Sequence, residues 1–210
     1  MRGSSSIYHK KSNNMDIEEY GELMFPLVSD QGSFHMNLVH MALGISGECG
    51  EITDIIKKHW ILGKDLGVGH LKEEIGDVLF YMNGMAMFLG APNSEWWWSS
   101  QSGGDQETYA NTEKNLRLLP LRVSHVSGLL AHAVYQEAYW GIPIGYSEPL
   151  ENLGNLGMLL GRIAQIAGFT LEDALDANVA KLSVRYPGLK FDADKGLNRD
   201  VAAEAEAMRR

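Results

Sequence analysis

Four carboxylates in the first half of the chain have a spacing that suits metal binding. Glu48 and Glu51 are three residues apart, and so are Glu74 and Asp77. On a helix, positions three apart differ by roughly 60° around the axis, so each pair projects from one side. Carboxylates that converge beside a buried face repel one another and lose hydration, so they need protons or cations. Ligation by oxygen atoms favours Mg²⁺ or Mn²⁺.

A plainer interpretation is two acidic helix faces in contact with solvent, because charged side chains are mostly exposed. Two pairs at the same angular position on neighbouring helices favour the metal site over this alternative. A di-iron bundle of the ferritin type needs Glu-x-x-His motifs, and neither pair has a histidine in the last position. We therefore discount iron.

Two amphipathic helices must position these pairs. Apolar side chains recur at steps of three and four over 37–60 and again over 70–89, with the glycine-rich stretch 61–70 between them. This pattern predicts a helical hairpin. Gly44 and Gly47 lie on the carboxylate side of the first helix, where each costs roughly 1 kcal/mol relative to Ala. We expect something at the site to need the space that they leave.

Helical patterns also predict the rest of the chain. Further helices are expected at 15–27, 122–140, 150–167 and 171–186, and Thr170 with Asp173 resembles a capping box. No segment shows sustained period-two alternation, so the predicted fold class is all-α, a helical bundle. We predict a single domain over 15–200 between tails at 1–14 and 201–210. Its parts are a catalytic hairpin (15–92), a linker (93–118), a second hairpin (119–168) and a C-terminal helix with its tail (169–200).

Charge and composition narrow the classes of partner. The 210 residues include 27 acidic and 18 basic side chains, a formal charge of −9, which argues against nucleic acid. No stretch approaches the roughly 20 apolar residues that cross a bilayer, so we expect no membrane partner. Cys49 is the one cysteine and cannot form an internal disulfide, which fits a cytoplasmic protein.

The segments ALGISGECGEITDIIKKHWILGK and HLKEEIGDVLFYMNGMAMFLG resemble the MazG-type, all-α nucleoside triphosphate pyrophosphohydrolases, a superfamily related to dimeric dUTPases and dCTP pyrophosphatases. The paired ExxE and ExxD motifs are its signature, and residues 168–200 resemble its C-terminal helix and tail. The resemblance implies hydrolysis of a nucleoside triphosphate, expected to be a deoxynucleotide, to the monophosphate and pyrophosphate. It implies two or more Mg²⁺ ions, replaceable by Mn²⁺, and a homo-oligomer, a dimer or tetramer. The ligands would be Glu48, Glu51, Glu74 and Asp77.

Compact relatives lack most of the stretch between the matched segments. That stretch can be aligned with the catalytic hairpin as a degenerate repeat that has Ala133, Gln136, Asn152 and Asn155 at the four carboxylate positions. One chain would then supply what two subunits supply in dimeric relatives. Chance similarity between amphipathic helices explains the alignment about as well.

Several side chains are candidates for substrate binding. By the resemblance, Asn178 and Lys181 match substrate-binding positions, and Arg185 shares their helix face, which suits phosphate oxygens. Lys58 follows Glu51 by seven residues and is another phosphate candidate. For Lys58 and Arg185, a solvated helix face is an almost equal alternative. Glu73 or one of the ligand carboxylates would accept the proton of the attacking water.

In this superfamily, selectivity for the base usually comes from the segment before ExxE, here Phe34, His35, Asn37 and His40. Asn37 and His40 can donate and accept hydrogen bonds to a base edge, although caps and surface residues look the same in a sequence. The three tryptophans 96–98 could stack on a base. Burial between the halves of the chain or in an oligomer interface is the stronger alternative.

Three other interpretations stay open. The first is a dUTP- or dCTP-preferring enzyme of the same superfamily. The second is a non-catalytic nucleotide-binding or scaffolding helical protein. The third is a structural bundle whose acidic pairs face solvent, in which case Mg²⁺ would not raise the melting temperature.

Overall fold

The computed structural model describes residues 15–101 and 113–209, and the regular elements within these ranges are all helical. The predicted all-α class is confirmed. In chain order the elements are α1 (Ile17–Met24) with a 3₁₀ turn (Phe25–Leu27), α2 (Phe34–Leu62), α3 (Val68–Phe88), α4 (Asn93–Gln101), α5 (Glu113–Leu116), α6 (Leu119–Trp140), α7 (Ser147–Ala167), α8 (Leu171–Arg185), α9 (Ala193–Leu197) and α10 (Val201–Ala207).

The predicted helical hairpin is formed by α2 and α3, which pack against each other. The Ser33 side chain caps α2 by accepting a hydrogen bond from the backbone N–H of Met36. Gly63 ends the helix with a φ of 64°, which glycine adopts without strain. Each helix buries an apolar stripe in one hydrophobic core, and the stripe of α2 runs through Leu38, Met41, Ile45, Cys49, Ile52 and Ile56.

Helix α6 lies antiparallel along the other side of α2. Near one end of the pair, His35 Nδ1 lies 3.3 Å from Glu137 Oε1, and further along the hydroxyl oxygens of Thr53 and Ser124 are 3.5 Å apart. Helix α7 packs against α6 and α4, and α8 packs against α3. Thr170 and Asp173 form the capping box that the sequence predicts at the start of α8.

The linker prediction for 93–118 is wrong where the structure describes that segment. Residues 93–101 form α4 and residues 113–116 form α5. Trp96 and Trp97 are buried, and Trp96 Nε1 donates a hydrogen bond of 3.0 Å to Asn93 Oδ1. Two indole rings supply enough apolar surface to dock this helix on α7, although its sequence has no regular apolar stripe. Residues 102–112 and the Trp98 side chain lie outside the described part.

The predicted tail at 201–210 is also wrong for residues 201–207, which form α10. Asp200 caps this helix by accepting from the backbone N–H of Ala203 at 3.0 Å. Glu204 is buried, and α10 packs against α8. Within 15–101 and 113–209, no helix is both long and apolar enough to cross a membrane.

Candidate metal centre

Three of the four predicted carboxylates come together at the α2–α3 interface. Glu48 of α2 and Glu74 and Asp77 of α3 each offer an oxygen, and these oxygens all lie within 4.8 Å of one another. Glu74 is buried, whereas Glu48 and Asp77 are half-buried. The three side chains therefore lie at the edge of the buried faces of α2 and α3, as their spacing in the sequence predicts.

Burial and mutual repulsion change the protonation of this cluster. Loss of hydration raises the pKa of Glu74 to about 8, and a hydrogen bond with Glu48 and the charges of Asp77, Glu48 and Glu73 act in the same direction. Burial and the charge of Asp77 also raise the pKa of Glu48. These shifts favour the protonated form of Glu74, which donates its proton in the hydrogen bond to Glu48. His70 Nδ1 lies 3.1 Å from Glu74 Oε1.

Asp77 is held by polar groups from α8. Asn178 Nδ2 donates a hydrogen bond of 2.7 Å to Asp77 Oδ1, and its own Oδ1 accepts one of 2.8 Å from the Tyr20 hydroxyl. Lys181 is fully buried and pairs with Asp77 Oδ2, and its Nζ lies 3.4 Å from Glu73 Oε1. These contacts fix the orientation of the Asp77 carboxylate and compensate its charge.

Glycine lets α8 approach α3 closely enough for these bonds. A Cβ at Gly76 would lie 2.9 Å from the carbonyl oxygen of Ala174 and 3.0 Å from Asn178 Cβ. Gly44 of α2 has a similar role, because a Cβ there would overlap the Tyr81 ring. The expectation that a neighbour needs the space at Gly44 is confirmed. At Gly47 a Cβ would point into open space, so no described neighbour accounts for that glycine.

Glu51 and Lys58 lie outside the cluster of three. Glu51 is exposed on α2, and its charge acts on both Glu48 and Lys58. Lys58 is exposed and pairs with Asp54 Oδ2 on its own helix. The sequence predicts that four carboxylates converge, but among the described residues only three do. Glu51 projects further round α2, towards solvent.

Arg185 has a different partner from the one predicted. Its Nε and Nη2 donate hydrogen bonds of 2.9 and 2.8 Å to the two carboxylate oxygens of Glu204. Asn178 and Lys181, predicted as phosphate ligands, are likewise engaged, in their case with Asp77. The shared helix face was predicted correctly, but in the structure it meets carboxylates of α3 and α10.

The residues predicted to select the nucleotide base lie near the start of α2. Asn37 is buried and closes the preceding turn, since its Oδ1 accepts a 2.6 Å bond from the backbone N–H of Gln31 and its Nδ2 donates to Asp30. Phe34 and His35 are exposed. The His40 ring lies 5.9 Å from the Tyr81 ring in an edge contact. His40 Nδ1 is buried and has no hydrogen-bond partner among the described residues.

Sequence reasoning missed four residues around the cluster: Tyr20, His70, Arg199 and Glu204. His70 could have been found, because it precedes Glu74 by four residues on one helix. Tyr20, Arg199 and Glu204 reach the site from α1 and from the C-terminal segment. No local spacing indicates contacts of that range.

Comparison of the chain with protein-family models, with curated proteins and with solved structures finds no match. The resemblance to the MazG-type family therefore stays a prediction from the quoted motifs.

Proposed function

We propose that this chain is a divalent-cation-dependent nucleoside triphosphate pyrophosphohydrolase, which converts a nucleoside triphosphate to the monophosphate and pyrophosphate. The observation that carries the proposal is the convergence of Glu48, Glu74 and Asp77 from two helices, with oxygens within 4.8 Å of one another. The MazG-like spacing of the same residues supports the choice of reaction.

The donor set fits a hard divalent cation. It consists of carboxylate oxygens, which Mg²⁺ and Mn²⁺ prefer, and it lies in a partly buried position where unneutralised charges are costly. Burial, followed by the neighbouring carboxylates, raises the pKa of Glu74 to about 8, so full ionisation of the cluster is costly. Glu48, Glu74 and Asp77 would hold Mg²⁺, and Mg²⁺ would neutralise phosphate charge and acidify water.

The chain's own residues prepare the site in two ways. Tyr20 and Asn178 orient Asp77 through a chain of two hydrogen bonds, which limits the reorganisation needed on binding. Lys181 compensates one negative charge permanently. The net charge of the cluster would therefore stay small when a cation binds. Glu73 lies beside the ligands at the site edge and stays a candidate proton acceptor.

A substrate panel tests the proposal. Ribo- and deoxynucleoside triphosphates are incubated with the full chain, with Mg²⁺ or with EDTA, and released pyrophosphate is measured. We expect Mg²⁺-dependent release that falls on the order of 100-fold in Asp77→Asn and Glu48→Gln. The matched control is Glu22→Gln, an exposed carboxylate on α1. It should retain wild-type turnover.

The outcomes separate the alternatives. Pyrophosphate release from dUTP or dCTP alone would identify a selective enzyme of the same reaction class. Binding of nucleotide without release would support the non-catalytic nucleotide-binding protein. Comparable turnover by Asp77→Asn and wild type would refute the proposal. The expected homo-oligomer and the preference for a deoxynucleotide stay predictions.

A further inference from the structure

Three cations of the C-terminal half surround the carboxylate cluster, and they differ in how far solvent reaches them. The Lys181 side chain is 0% exposed, that of Arg185 is 15% exposed, and that of Arg199 is 39% exposed. A substrate phosphate arrives from solvent. Of these three cations, Arg199 is the one that it can reach without displacing buried groups.

Arg199 is connected to the cluster through a chain of three ion pairs. Its Nη2 lies 3.8 Å from Glu73 Oε1, and the same oxygen lies 3.4 Å from Lys181 Nζ, which pairs with Asp77. Glu73 directly precedes Glu74. The guanidinium is therefore at the rim of the candidate metal centre.

Glu204 fixes this arginine from the other side. Its Oε2 accepts hydrogen bonds from Arg199 Nε at 3.3 Å and Nη2 at 2.8 Å, while Arg185 occupies both of its oxygens. Arg199 Nη1 makes no hydrogen bond to the residues that the structure describes. A planar guanidinium with one side anchored and one nitrogen open suits phosphate oxygens.

Arg185 is poorly placed for the same task. Its Nε and Nη2 both donate to Glu204 in a bidentate ion pair. Breaking this ion pair would leave the buried Glu204 carboxylate with fewer partners. The Arg199 contact with Glu73 is long and partly exposed, so exchange of that carboxylate for a phosphate costs little.

We propose that Arg199 binds the polyphosphate of the substrate at the rim of the metal centre, with Glu204 as the residue that positions it. This inference rests on the proposed function, because it assigns a substrate group to the same site. A triphosphate or pyrophosphate chain carries several negative charges, and Arg199 compensates those that project towards solvent.

The test measures binding without catalysis. Inorganic tripolyphosphate is titrated into the full chain in the presence of Mg²⁺, by calorimetry, and Mg²⁺ alone is titrated separately. Arg199→Gln should weaken tripolyphosphate binding by about tenfold or more. It should leave Mg²⁺ affinity unchanged or tighter, because it removes a positive charge near the carboxylates. Lys195→Gln on α9 is the matched control, since Lys195 is also partly exposed. It should change either affinity by less than about twofold.

Arg199→Lys serves as a second variant. It keeps the charge but loses the planar fork, so tripolyphosphate binding should fall between that of the wild type and Arg199→Gln. If Arg199→Gln lowers the melting temperature too far for titration, Arg199→Lys is compared with the wild type in its place. Tripolyphosphate affinity within twofold of wild type in both variants would overturn the inference. Equal weakening of Mg²⁺ and tripolyphosphate binding in both variants would also overturn it, because Arg199 would then support the metal centre and not the phosphate.

The two proposals fail in different ways. Tripolyphosphate binding that depends on Arg199, in a chain that hydrolyses no nucleoside triphosphate, would support the phosphate site and refute the pyrophosphohydrolase. Nucleotide turnover by Arg199→Gln with unchanged KM would overturn the role of Arg199 and leave the pyrophosphohydrolase intact. A wild-type chain that binds no tripolyphosphate in the presence of Mg²⁺ would overturn the inference as well.

Discussion

Single residues at the cluster balance charge in two ways, by a proton and by a buried ammonium group. Glu74 keeps a proton at neutral pH because burial and the neighbouring carboxylates raise its pKa to about 8. Asp77 is compensated instead by Lys181, which no solvent reaches. In the proposed function a divalent cation would replace this proton, while Lys181 would keep its ion pair with Asp77.

Lys181→Met should therefore destabilise the protein by about 3 kcal/mol, because Asp77 and Glu73 lose a buried counter-ion. The free energy of unfolding is measured by urea denaturation at pH 7 without divalent cations. Lys195→Met, which removes a partly exposed lysine, should cost less than about 1 kcal/mol. Similar stabilities for the two variants would show that the Lys181 ion pairs contribute little.

The types and helix faces of the site residues could be predicted from the sequence, but some of their partners could not. Glu48, Glu74 and Asp77 meet because their spacing fixes their direction on two adjacent helices. Asn178 and Lys181 share the predicted face, yet they contact Asp77 and not solvent. That outcome depends on how closely α8 approaches α3, which periodicity does not determine.

At the scale of helices, close packing of α3 and α8 depends on one missing side chain. Gly76 faces the carbonyl oxygen of Ala174 and the side chain of Asn178, so the two backbones meet there. Periodicity predicted α2, α3, α6, α7 and α8 to within a few residues at each end. It missed α4, whose consecutive tryptophans form no stripe, and α10, which is short and rich in alanine and glutamate.

Gly76→Ala should destabilise the protein by about 2 kcal/mol, because the added methyl group must push α8 away from α3. The displacement should also loosen Asn178 and Lys181 from Asp77. Gly47→Ala is the matched control, since it is also a helical glycine and its Cβ would meet no described atom within 4 Å. It should stabilise the protein by up to about 1 kcal/mol through helix propensity. Thermal and urea denaturation measure the stability of both variants. Equal destabilisation by the two substitutions would show that contact with α8 is not what makes Gly76→Ala costly.

For the molecule as a whole, the C-terminal segment completes the fold around the cluster. Glu204 of α10 binds Arg185 of α8 and Arg199, and Arg199 reaches Glu73 of α3. The sequence predicts a tail at residues 201–210, because a short polar helix shows no periodic apolar pattern. Its order comes from contacts with a distant helix, which appear only in the folded chain.

Glu204→Gln should lower stability by about 3 kcal/mol at pH 7, with a pH dependence of defined sign. Burial acts to raise the folded-state pKa of Glu204, but the hydrogen bonds and charges of Arg185 and Arg199 outweigh it and lower that pKa from 4.5 to about 2. The stabilisation is therefore complete above pH 4.5 and is lost as the pH falls towards 2. Urea denaturation of wild type and variant across this range measures the difference, which should shrink as the pH falls. A difference that stays constant down to pH 2.5 would contradict the assignment.

In the proposed function, Glu48, Glu74 and Asp77 share a divalent cation. Calorimetric titration of Mg²⁺ and Mn²⁺ into the full chain tests this without any assumption about substrate. We expect saturable binding that weakens on the order of tenfold or more in Glu74→Gln and stays at the wild-type level in Glu22→Gln. Glu74→Gln binding either cation as tightly as the wild type, or a wild type that binds neither, would contradict it.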